Sequence, residues 1–261
     1  MFETTRFEIA RRRRSTLWLS VGVAVLTAFF LWYYSVLDTE SLAVAMDALP
    51  PSMLEALNIV TLATIEGFLA TELYTFLWVF GFGLYFAYST GGLIADDIEH
   101  DRLDLILTFP HSRTRLFLEK LLAVGAPIVA INVIAGLVVY GGSVLLGEPI
   151  EPVRVVLVHL LSIPYFAVCA SIGALFSVVV SRSAIAQRAG AGVVLVLFLV
   201  ESVTAAGETY DWLGSLTPMA YYEPTPLLLE GTYEVLDTVV LLGATIVFTI
   251  VASWLFTHRD V

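Results

Sequence analysis

The chain has 261 residues, a formal net charge of −11 and 58% hydrophobic residues. Ordinary soluble domains are only about half apolar, and the apolar residues here fall in long blocks, so a soluble protein is excluded and a single membrane domain over residues 1–261 is expected. One cysteine, Cys169, lies in an apolar block, which excludes an internal disulfide and a cysteine-rich metal site.

Six stretches approach the roughly 20 apolar residues that a membrane-crossing helix needs. In chain order they are Leu17–Leu37, Leu73–Ile94, Leu121–Leu146, Val155–Val180, Ala189–Ala206 and Thr238–Thr257. The fourth carries only His159 and the fifth only Glu201 as ionisable side chains of Asp, Glu, Lys, Arg or His type. Arg11 to Arg14 precede the first, but its apolar run of 21 residues exceeds the ~7–15 of a cleaved signal, so an anchored helix is expected. Residues 1–16 read as a basic elbow ahead of it. The fold class is therefore all-α, a polytopic membrane protein of six transmembrane helices.

The basic residues set the orientation. With six spans, Arg6, Arg11–Arg14, Arg102, Arg113, Arg115, Lys120, Arg182, Arg188 and Arg259 all fall on one side, and only Arg154 on the other. The positive-inside rule then places both termini in the cytoplasm of a multi-pass cell-membrane protein. The segments assigned to the outside, Asp38–Glu72 and Gly207–Asp237, hold six acids each and neither Lys nor Arg. Trp32, Tyr33 and Tyr34 form an interfacial belt at the end of span one. "LTPMAYYEPTPLLLEG" reads as a proline-broken outer loop. Twelve arginines against the single Lys120, with acidic loops, suggest a salt-adapted host such as a halophilic archaeon.

Between spans two and three, residues 91–122 gather six acids, four bases and two histidines. Leu103, Ile106 and Leu107 recur at helical spacing and give an apolar edge. Phe109-Pro110 stops that helix, and Ser112 can cap the next, which runs through Arg113 and Lys120 into span three. The expected element is a short amphipathic helix across the cytoplasmic face, a turn, and a helix returning to the bilayer. A topology signal needs only positive charge, yet this loop mixes both signs and carries leucines. It reads as a handle for another protein.

"IADDIEHDRLDLILTFPHSRTRLFLEKLL" resembles the cytoplasmic loop of type-2 ABC transporter permeases, the ABC-2 exporter family. Glu99, Leu103, Leu107, Pro110, Ser112, Arg113 and Lys120 match that pattern in order. Where the family usually has Gly-Thr before the first leucine, this chain has Asp101-Arg102. "TIEGFLATELYTFLWVF", residues 64–80, is similar to the family's approach to its second span, and "FEIARRRR" to its cytoplasmic elbow. The resemblance implies a coupling helix gripped by a separate ATP-binding subunit, with Asp97, Glu99, Leu103, Leu107, Pro110, Ser112, Arg113 and Lys120 as the coupling residues. It also implies two permease chains, homo- or heterodimeric, in the lipid bilayer, and export as the direction. No nucleic-acid partner is expected.

A P-loop needs Gly-x-x-x-x-Gly-Lys-Ser/Thr, and the sole lysine lies in "LEKLL". No cofactor and no catalysis are therefore expected in this chain; ATP and Mg belong to the partner. His-Glu-x-x-His and Gly-x-Ser-x-Gly are missing too, and His159 is the only intramembrane histidine, too few for a bis-histidine haem. His159 reads as an interfacial histidine and Glu201 as an acid near the outer end of its span. Asn132 reads as helix glue, each with a transport role as the sharper reading. Pro127 and Pro164 are candidate kinks. Gly83-x-x-x-Ala87, Ala170-x-x-x-Ala174 and Ala186-x-x-x-Gly190 allow close helix approach, although such spacings arise often by chance. A non-transporting membrane scaffold is the alternative to a permease.

Overall fold

A computed structural model describes residues 3–38, 59–103, 112–204 and 211–259, with isolated positions between 44 and 54. The described residues are helical, without a strand. Inside a bilayer no water satisfies backbone N–H and C=O groups, so each crossing segment must bond internally as a helix. Six helical rods are long and apolar enough to cross: Glu3–Val36, Ile65–Glu99, Arg113–Leu145, Pro152–Val179, Ser183–Thr204 and Val235–Thr257.

Helix α1 (Glu3–Val36) runs unbroken through the arginine cluster. The elbow expected at 1–16 is thus no separate element from residue 3 onward: no proline or glycine precedes Gly22 to interrupt the ladder. The second rod starts earlier than the expected Leu73. Helix α2 (Ile65–Phe68) is capped by Thr64, whose Oγ1 accepts from the Gly67 N–H. The rod therefore includes Glu66 and Glu72, and counting only uncharged residues missed its first turns. It continues as a π-helix, π1 (Leu69–Phe82), and as α3 (Gly83–Gly91), before a short α4 (Ala95–Glu99). In π1 the Thr75 hydroxyl donates to the Ala70 carbonyl five residues back.

The third rod comprises α5 (Arg113–Ala123) and α6 (Gly125–Leu145), with Val124 between them. Pro127 is the third residue of α6, where a missing N–H costs no intrahelical bond. Pro164 lies inside α7 (Pro152–Val179), which continues past it. Helix α8 (Ser183–Thr204) begins six residues before the expected Ala189, and residues 205–206 lie outside the described part. On the face opposite the termini, α9 (Asp211–Gly214), a 3₁₀ turn (Pro218–Tyr221) and α10 (Pro224–Leu229) precede α11 (Val235–Thr257). The expected outer loop is thus folded back onto the bundle, with Met219, Tyr222, Leu227 and Leu228 buried. Tyr222 donates to the Val158 carbonyl, and Arg154 donates to the carbonyls of Leu228 and Leu229 at the C-terminus of α10.

Helix α7 is central and packs on α3, α6, α8 and α11. The three small-residue spacings meet at its crossing with α3 and α8. A Cβ on Gly173 would stand 2.0 Å from the Ala87 carbonyl oxygen, and one on Gly190 would stand 2.9 Å from Gly173 Cα. Only glycine permits this approach. Thr90, on α3, donates its hydroxyl to the Ala170 carbonyl at 2.7 Å and closes the contact.

Candidate functional site: an ionic belt at the terminal face

Residues 3 and 259 lie on the same face of a six-rod bundle, and there the charged side chains form a belt. At its centre Lys120 of α5 is 2% exposed and pairs with Asp97 of α4, itself 3% exposed. Lys120 Nζ also reaches Glu8 of α1 at 3.5 Å and the Leu93 carbonyl at 3.3 Å. Two buried carboxylates around one ammonium would leave excess negative charge in a poorly solvated place. Arginines compensate: Arg11 lies 2.8 Å from Glu8, and Arg102 lies 3.3 Å from Asp97 while also bonding Asp96. The Asp96 hydrogen bond is the main cause holding the Arg102 pKa above its ordinary value.

The other members sit at helix ends, with signs that match the backbone dipoles. Glu119 of α5 accepts from the Thr4 and Thr5 N–H groups at 2.9 and 3.3 Å, so it caps α1 from another helix. Arg115 holds that carboxylate at 2.7 Å. Glu99 accepts from the Ser183 N–H at 2.8 Å and caps α8 in the same way. Cations serve the opposite ends. Arg113 donates to the Phe256 and Arg259 carbonyls at the end of α11, with its guanidinium 5.9 Å from the Phe256 ring centre. Arg259 donates to the Val178 carbonyl of α7 and to Ser181 Oγ. Burial pushes the Arg259 pKa down. The belt touches all six rods.

Ser112 caps α5 as its sequence position requires, accepting from the Arg115 N–H at 3.2 Å. Asp97 and Lys120, which the resemblance names as coupling residues, are buried against each other. Leu103 is likewise buried, at 1% exposed. Glu99 and Arg113 engage neighbouring helices, although Glu99 stays exposed. Leu107 and Pro110 lie outside the described residues. The turn where the resemblance places glycine is kept in shape by Asp101, whose φ is 51°. Aspartate tolerates this left-handed region better than most residues. Glu8, Glu119, Ser183 and Arg259 escaped sequence reasoning as members of the belt; for the three charged ones a charge beside a terminal helix turn was the only signal, and their partners on other helices are far away in sequence.

Within the rods, Asn132 accepts from Ser162 Oγ at 2.7 Å and donates to the Ile128 carbonyl at 2.9 Å. It joins α6 to α7. His159 is buried in the bundle. Its Nδ1 lies 2.7 Å from the Val155 carbonyl, which can only accept, so Nδ1 carries the proton and Nε2 faces the Tyr74 hydroxyl at 3.4 Å. The Tyr74 and Trp78 rings meet the imidazole edge-on, each 5.5 Å away. Glu201 accepts from the Thr217 hydroxyl and ties α8 to the segment before the 3₁₀ turn. Among the described residues, no group of three or more His, Cys, Asp or Glu is placed to hold a metal ion.

No curated protein matches the chain. The family described as ABC-2 family transporter protein matches residues 6–261, nearly the full length, and six membrane-crossing rods agree with it. The chain belongs to the ABC-2 family of transporter proteins.

Proposed function

We propose that the chain is the membrane-spanning permease subunit of an ABC transporter, moving a solute across the cell membrane with ATP hydrolysed, with Mg, on a separate subunit. Family membership supports this reading, as does a sequence without a P-loop. The observation that carries it is the buried Glu8–Lys120–Asp97 cluster, which joins the end of the second rod to the first and third. A push on residues 96–113 then reaches α1 and α5 through ion pairs, and α8 through Glu99. Coupling is divided in this reading. The ATP-binding subunit grips the surface of the loop from Glu99 to Arg113, including Leu107 and Pro110, while Asp97 and Lys120 pass the movement on. Two permease chains complete the assembly. The arginine sorting supports cytoplasmic termini, and the family resemblance supports export.

The test is purification from native membranes in mild detergent, followed by mass spectrometry and ATPase assay. An ATP-binding cassette subunit is expected to co-purify, with activity that depends on this chain. Recovery without such a subunit, or ATPase activity indifferent to this chain, would overturn the proposal.

A further inference from the structure

A groove of about 380 Å³ runs between α6 and α7. Its rim is apolar and exposed, with Val133 and Leu137 from α6 facing Val156 and Leu160 from α7. Asn132 and His159 form part of the floor, and both are more than nine-tenths buried. Gly136 makes the floor deep: a Cβ there would lie 3.4 Å from the His159 ring and occupy the groove.

The chemistry of the lining selects the occupant. No Asp, Glu, Lys or Arg contributes to it. The floor's polar atoms are turned inward. Asn132 is engaged by Ser162 and the Ile128 carbonyl, and His159 by the Val155 carbonyl and Tyr74. The groove thus presents carbon surface, and water, which needs two to four polar partners, gains nothing there. Left empty, the lining would forfeit dispersion contacts. The α7 wall extends from Pro152 to Ile163, which at 1.5 Å per residue is about 16 Å, or about half the hydrocarbon thickness of a bilayer. It starts at the α7 end opposite the termini. An uncharged, elongated, apolar occupant reaching from one leaflet to the midplane fits these limits.

We infer that this groove is a binding site for one hydrocarbon chain of a bilayer lipid, drawn from the leaflet opposite the termini. The site stands apart from the ionic belt and does not rest on the transport reading.

Trp78 offers a reporter, since it is fully buried and its ring meets the back of His159. A variant with Trp18, Trp32, Trp212 and Trp254 replaced by Phe leaves Trp78 as the only indole. It is reconstituted into phosphatidylcholine vesicles carrying bromine at mid-chain. Trp78 is expected to lose most of its emission relative to unbrominated vesicles, and Gly136→Leu, which fills the groove, is expected to restore it. Val133→Phe changes an exposed rim position and tests the same blockade without touching the packed floor. Undiminished Trp78 emission overturns the inference, whether lipid stays out or a second protein copy covers the groove. Quenching that neither substitution changes overturns it as well.

Discussion

At the residue scale, Lys120 and Asp101 were both visible in the sequence, but for reasons that told only part of their roles. Lys120 stood out as the sole lysine, yet nothing in a linear pattern says that Glu8, over a hundred residues earlier, shares its pocket. Replacing it by Met leaves two carboxylates buried without their cation, and removing one partner of such a pair costs about 3–5 kcal/mol. The Lys120→Met protein is expected to show a clearly lowered melting temperature in detergent, and Lys120→Met with Asp97→Leu to recover part of it. Asp101 departs from the family pattern, and its φ of 51° explains how the turn survives the departure. Asp101→Gly is expected to be neutral or slightly stabilising. A β-branched Asp101→Val should lose roughly 1–2 kcal/mol. Thermal unfolding of the two variants separates them.

At the element scale, the rods were legible because hydrocarbon demands long apolar helices, and that demand is written residue by residue. Their ends were less so. Glu66 and Glu72 were read as loop, whereas the Thr64 cap starts the helix ahead of them. The π-register of Leu69–Phe82 has no mark in the composition. The small-residue spacings were visible, but their convergence depends on how α3, α7 and α8 cross. The same substitution, made at that crossing and at an uncrowded site, tests it. Gly173→Ala drives a methyl into the Ala87 carbonyl, and overpacking of this kind costs about 1–3 kcal/mol or more. Gly22→Ala meets nothing within 4 Å and removes a flexible residue from α1, so it is expected to stabilise by about 0.5–1 kcal/mol. A pH experiment addresses the segment opposite the termini. Burial, then the charges of Glu201 and Asp237, push the Glu223 pKa up. The fold therefore favours protonated Glu223. This contribution is complete below the ordinary carboxylate pKa and is lost as pH rises through the elevated value. Hydrogen exchange of residues 218–229 is expected to quicken, beyond its intrinsic pH dependence, across that range, and Glu223→Gln to remove the excess.

At the scale of the whole molecule, the number of crossings was the most readable property, since hydropathy summed over about twenty residues survives errors at any one of them. The belt is a set of pairings between distant segments, and a single sequence does not encode which acid meets which base. Its individual members gave hints: charge of the right sign beside a helix end is visible at Glu99 and Arg113, though the sequence cannot say which helix each one caps.

The solitary lysine carries one more consequence. The chain's only side-chain amine is sealed in the ion cluster, so amine-reactive acylating reagents should pass over it while the cluster is shut. Any step that parts Glu8 from Asp97 uncovers this buried amine. The rate at which Lys120 takes up such a label, followed by peptide mass spectrometry, is thus a clock for that opening, supplied by the protein without an added probe.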